Sequence, residues 1–285
     1  MAGTEQIKVD LFSPQEIAAR VSEAGEHKTH LTLLRLCLLS VLAGAYIAFG
    51  AVFSAVSITG MGGVWPYGFM KVIAGLTFSL GLILVVLSGA ELFTGNSLMI
   101  ISWMHRKITL SQLLRNWVIV YLGNFVGSLT IAILVLLGKL YTFSSGELGK
   151  TMLTLAITKT QYSFIQALVL GVLCNILVCL AVWMASSSRT TGGKVLAIVF
   201  PIAAFIAAGF EHSVANMYII PVALLMKAFD PVFAASLGLD LSALTWSNFF
   251  LRNLLPVTLG NILGGAGFVG LFYALIFPGA AKKNG

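Results

Sequence analysis

The chain has 285 residues, of which 58% are hydrophobic and only 9% charged, and its mean hydropathy is +0.97. Soluble domains carry about a quarter charged residues, so water is excluded as the main solvent of this protein. The formal charge of +7 is spread through loops and ends rather than gathered on one face, which argues against a nucleic-acid partner and reads as membrane orientation.

In chain order, the first element is announced by Ser13-Pro14-Gln15-Glu16, with Ser at an N-cap, Pro at the first helical position and Glu three residues after the cap. A short helix is expected from Pro14 to Glu26, with Ile17 and Val21 on one face, lying along the membrane surface or packing beneath a bundle. The first thirty residues hold five of the ten acidic residues and lack the basic-then-apolar order of a signal peptide. We therefore expect residues 1–30 to remain on the chain as a cytoplasmic segment. Six apolar regions follow, at 31–56, 69–103, 112–138, 162–186, 195–227 and 249–277, each long enough to cross a bilayer. The second and fifth contain breaks. Together they form an expected channel domain, 31–277, leaving residues 278–285 as a cytoplasmic tail. The expected fold class is all-α, a polytopic membrane protein of six spans. Cys37, Cys174 and Cys179 all lie in apolar stretches without ligand spacing and read as small hydrophobes, so neither a disulfide framework nor a metal or cofactor is expected.

The basic residues orient these spans. Eleven, including Lys8, Arg20, Lys28, Arg106, Arg189, Lys282 and Lys283, fall on the side of the chain ends, against six on the other, which places both termini in the cytoplasm. The two halves also repeat. Gly89-Ala90-Glu91 with Asn96 recurs as Gly209-Phe210-Glu211 with Asn216, and Arg115-Asn116 followed by Gly123-Asn124 and Gly127 recurs as Arg252-Asn253 followed by Gly260-Asn261 and Gly264. Each half has three spans, an odd number, so the second copy enters the membrane from the opposite face. That is a 3+3 inverted repeat, an architecture that places its pathway where broken helices meet near the midplane.

Glu91 and Glu211 are the acidic residues within the spans, and a carboxylate at that depth must face protein or water. We expect each to accept backbone N–H bonds from the loop that interrupts its helix, with Asn96 and Asn216 steadying the same loops. A pore-lining charge is the alternative role. His212 is the one histidine inside a span; such a residue is ordinarily satisfied core, but this one follows a buried Glu at a helix break and is read as functional. Thr94 occupies the break of the other half, so His212 and Thr94 bring two hydrogen-bond donors from opposite repeats toward one point. Phe78 and Leu82, four apart on one helix face, and Phe205 with Gly209 in the partner, are either packing residues or apolar constrictions.

The runs Phe78-Ser79-Leu80-Gly81-Leu82, Glu91-Leu92-Phe93-Thr94-Gly95, Cys174-Asn175-Ile176-Leu177-Val178-Cys179 and Gly209-Phe210-Glu211-His212-Ser213-Val214-Ala215-Asn216 resemble the formate/nitrite transporter family, and the likeness covers essentially the whole chain. The resemblance implies an aquaporin-like homopentamer with one pore per protomer. It further implies constrictions at Phe78, Leu82, Phe93, Val178 and Phe205, with Thr94 on the first broken loop and His212 beside it. Family members place a lysine sixteen residues before the Asn of the fourth span, here Lys159 before Asn175, as an attractor of anions. Glu91 stands where formate channels commonly have Asp, and Thr94-Gly95 is similar to nitrite channels.

The expected function is a channel or transporter for small monovalent anions in the cell inner membrane, formate first and nitrite next, with hydrosulfide or lactate further options. A neutral-solute pore of the aquaporin kind is disfavoured, because its Asn-Pro-Ala repeats are replaced by Thr94-Gly95-Asn96 and Val214-Ala215-Asn216. An intramembrane enzyme built on Glu211 and His212 would lack an accompanying nucleophile or metal-ligand set.

Overall fold

The computed structural model describes residues 11–278; Lys8, Lys282, Lys283 and nearly all of the expected tail lie outside them. Helix α1, Pro14–Thr29, begins with the expected capping box, Glu16 N–H bonding to the Ser13 hydroxyl and Ser13 N–H to the Glu16 carboxylate. It packs beneath the bundle: Ile17, Ala18 and Val21 are buried with Leu98, Ile101 and Trp183.

Among the described residues, five helices are long and apolar enough to span a bilayer: α2 (Leu33–Ile58), α3 (Tyr67–Ser88), α6 (Leu110–Leu137), α8 (Phe164–Ser187) and α12 (Asn248–Ile276). The second span is α3 followed, after a break, by the short α4 (Phe93–Asn96) and α5 (Met99–Met104). The fifth is a pair of 17-residue apolar helices, α9 (Thr191–Ala207) and α10 (Ser213–Phe229), separated by a break of the same kind. Both breaks open on a glycine in the left-handed region, Gly89 at φ 74° and Gly209 at φ 75°, a conformation that lets the chain leave the helix without the steric cost a side chain would bring.

The glycines at the close helix crossings also recur in both halves. A Cβ at Gly127 on α6 would run into the Val41 carbonyl of α2, and one at Gly264 on α12 into the Val172 carbonyl of α8. Small residues let these backbones touch, which in lipid replaces the hydrophobic drive that water would supply. The side opposite α1 carries two helices not expected from the sequence: α7 (Glu147–Thr160), whose charged residues and threonines lower its hydropathy, in the stretch 139–161, and the six-residue α11 (Pro231–Ser236), which follows α10. Leu148, Met152, Leu153 and Ala156 of α7 are buried, so this segment is part of the packed body. Helix α12 carries two wide-wound stretches, Asn248–Leu254 and Leu263–Gly270. Cys174 and Cys179 are buried, as expected of small hydrophobes, and Cys37 is only partly buried.

Candidate functional site

Each break must satisfy backbone groups that the interrupted helix leaves bare at membrane depth, and one asparagine does most of that in each half. The Asn124 amide donates to the Ser40 and Glu91 carbonyls at 2.7 and 2.9 Å, and its Oδ1 accepts the Phe93 N–H at 2.9 Å. In the second half Asn261 donates to the Gly171 and Glu211 carbonyls at 2.8 and 3.0 Å and accepts the Ser213 N–H at 2.9 Å. Glu91 N–H reaches the Leu39 carbonyl and Glu211 N–H the Leu170 carbonyl, both at 3.2 Å. The repeat read from the sequence is therefore a repeat of hydrogen bonds.

The two carboxylates do not serve the loop backbone, contrary to expectation, because side-chain amides already do. They pair with lysines. Lys28, in the last turn of α1, lies 2.9 Å from Glu91 Oε1 and donates to the Asn96 Oδ1 at 2.7 Å. Lys159, in the last turn of α7, donates to Glu211 Oε1 at 2.6 Å. Asn96 and Asn216 each donate to their Glu at 2.7 Å and to a second asparagine, Asn116 at 2.8 Å and Asn253 at 2.7 Å. Removing two charges from water costs several kcal/mol per ion unless they are paired and further hydrogen-bonded, which explains why lysine, glutamate and two asparagines occur as a set. Lys28 was missed in the sequence, although it lies sixteen residues before Gly44, as Lys159 lies sixteen before Asn175. Gly44 and Asn175 are matching positions, each four residues after the carbonyl that Asn124 or Asn261 grips.

Between the two breaks the halves differ. His212 is the N-cap of α10, and its Nδ1 accepts the Ala215 N–H at 3.1 Å. With Nδ1 accepting, the neutral ring carries its proton on Nε2, which lies 2.9 Å from Thr94 Oγ1 and donates to it. The Thr94 hydroxyl proton then has no acceptor among the described residues, so the pair offers one unspent donor at the meeting point of the two half-helices. Of the expected constrictions, two are tied to this point by ring contacts: Phe205 stacks over His212 at 6.0 Å, and Phe78 meets Phe205 edge-on at 5.7 Å. All five, Phe78, Leu82, Phe93, Val178 and Phe205, are buried. Asn175 donates to the Thr94 and Asn261 carbonyls at 3.3 and 2.6 Å, bracing both halves from behind. A cavity of about 340 Å³ opens on the α1 side, lined by Lys28, Leu82, Glu91, Leu92 and Asn96 among others, and reaches the first break.

Two broken helices from opposed repeats, meeting at a buried His–Thr bond ringed by apolar side chains, define a membrane transport pore. The chain belongs to the formate/nitrite transporter family: the family's model, described as "Formate/nitrite transporter", matches residues 15–275. It is 42% identical over 272 residues to the formate channel FocA of Escherichia coli (strain K12), covering 94% of this chain and 95% of that one. The FocA of Haemophilus influenzae is 43% identical over 236 residues, covering 81% of this chain and 83% of its own. Among solved structures, a pentameric formate channel with formate bound superposes with a TM-score of 0.78 at 42% identity, covering 86% of this chain and 97% of that chain. An FNT family ion channel superposes at 0.74 with 31% identity, covering 93% and 98%.

Proposed function

We propose that this protein is a formate channel of the cell inner membrane, assembled as a homopentamer with one pore per protomer and both termini in the cytoplasm. The observation that carries the reading is the Thr94–His212 bond between the two breaks, in a chain 42% identical to formate channels over nearly its full length. The proposed path runs from the Lys28–Glu91 cavity past Leu82, Phe93 and Val178 to Thr94 and His212, then past Phe205 and Phe78 toward Lys159 and Glu211. Bare formate is expelled from a dry apolar constriction by its charge, so passage requires hydrogen bonds or a proton at the middle of the path. Thr94 supplies the free O–H, and His212 backs it from Nε2. Nitrite is the second substrate we propose, because its size and charge suit the same donors and the family's description includes it.

Swelling or flux in liposomes containing the purified protein tests this reading, with formate, nitrite, hydrosulfide and glycerol compared side by side. The expected order is formate ahead of nitrite, with glycerol at the protein-free rate. Glycerol passing as fast as formate contradicts an anion path. Cysteine labelling of sealed, right-side-out cells tests the orientation: the 139–161 segment labels from outside and the chain ends do not.

A further inference from the structure

Phe93, the first residue of α4, is the one implied constriction whose ring is gripped by two other rings on a neighbouring helix. Tyr121 and Trp117, one turn apart on α6, meet it edge-on, with centroids at 4.9 and 6.2 Å and both interplanar angles 74°. Each of these rings is itself tied down. The Trp117 indole N–H donates to the Asn96 carbonyl at 3.0 Å, fixing it to the far end of α4. The Tyr121 hydroxyl lies 2.8 Å from the Thr258 hydroxyl on α12, in the opposite half.

Tyr121 and Thr258 are matching positions of the repeat, each five residues after the asparagine that serves its break, Asn116 and Asn253. Two equivalent residues that bond to one another must lie beside the axis relating the halves. Phe93 corresponds in the same way to Ser213, and Trp117 to Leu254. None of the three rings has an aromatic counterpart, so the grip exists in the first half alone.

We propose that Tyr121 is a positioning residue for the pore: pressed against Phe93 and tethered to Thr258, it holds the Phe93 ring in one orientation and thereby sets the size of carboxylate that passes. This rests on the reading of Phe93 as a constriction. A ring in a packed interior keeps its rotamer because its neighbours leave it no other space. Removing Tyr121 opens that space behind Phe93, and the constricting ring turns back into it.

The test is the acetate-to-formate permeability ratio in liposomes for Phe93→Ala, Tyr121→Ala, the double variant and Thr258→Val. Tyr121→Ala is expected to raise the ratio by roughly threefold or more, the scale on which loss of an edge-to-face aromatic contact acts. Thr258→Val, which removes only the tether, raises it less, and carries the test if Tyr121→Ala does not assemble. In the Phe93→Ala background Tyr121→Ala adds nothing, because its target is gone. A wild-type ratio in Tyr121→Ala, or in Thr258→Val where that variant stands in, overturns the proposal while leaving the constriction in place if Phe93→Ala widens the pore. An equal rise with and without Phe93 also overturns it. An unchanged ratio in Phe93→Ala overturns the constriction and the grip together.

Discussion

The two broken helices are built alike and finished differently. Gly89 and Gly209 turn the chain, Asn124 and Asn261 hold the opened backbone, and each glutamate has a lysine from a helix ending beside it. The differences fall at the centre and at the lysines. The residue after the glutamate is Leu92 in one half and His212 in the other, and three residues after it stand Thr94 and Val214. The first break thus gives the hydroxyl and the second the ring that supports it. Of the lysines, Lys159 is 15% exposed and Lys28 26%, and Lys28 alone reaches the Oδ1 of its asparagine, while Asn216 Oδ1 has no partner among the described residues. Symmetry carries the architecture, and departures from it carry the chemistry.

The largest effect that probes this comparison is expected at Glu211. Replacing it by Leu strands the largely enclosed Lys159 ammonium and costs about 3–5 kcal/mol, whereas Glu91→Leu costs roughly 1–3 kcal/mol because the more exposed Lys28 can turn to water. Thermal unfolding of the detergent-solubilised variants measures both, and equal losses would remove the distinction between the two pairs. Asn124→Ala and Asn261→Ala come next. Each strips the opened loop of two buried hydrogen bonds, to the Phe93 N–H and Glu91 carbonyl or to the Ser213 N–H and Glu211 carbonyl, at about 2–3 kcal/mol, and here the two halves are expected to match. A large gap between them breaks the claim that the backbone repair is symmetric. The smallest effect belongs to Lys28→Met, which uncovers the Glu91 carboxylate at the mouth of the cavity. Formate flux is expected to fall roughly twofold to tenfold at low salt and to recover as screening shortens to about 8 Å. Flux independent of salt would mean that the pair only holds α1 in place.

Much of this was legible before any coordinates. The spans, the capping box of α1, the two breaks and the recurrence of the motifs in the same order in both halves follow from local composition and spacing. The partners of Glu91 and Glu211 were not, because lysines on α1 and α7 lie more than fifty residues away and no local periodicity encodes such a contact. Helix α7 was hidden for a different reason: its lysines and threonines lower its hydropathy, while Leu148, Met152, Leu153 and Ala156 face inward on a stripe too short to read as a span. Asn124 and Asn261 were visible as a repeated motif, but their role required the carbonyls they reach on α2 and α8. Thr94 and His212 were expected to approach one another, and their bond is where the two halves meet.

That bond is the part of the account most directly open to measurement. Asparagine at position 212 can still cap α10 by accepting the Ala215 N–H, so His212→Asn is expected to fold and assemble while losing the titratable ring. Formate flux through liposomes is then compared with the unsubstituted protein across about pH 5 to 8, the range in which an unperturbed imidazole changes charge. The account predicts that His212→Asn loses most of the pH dependence along with much of the rate. A folded His212→Asn protein with unaltered rate and pH profile would contradict it and make His212 a cap and nothing more.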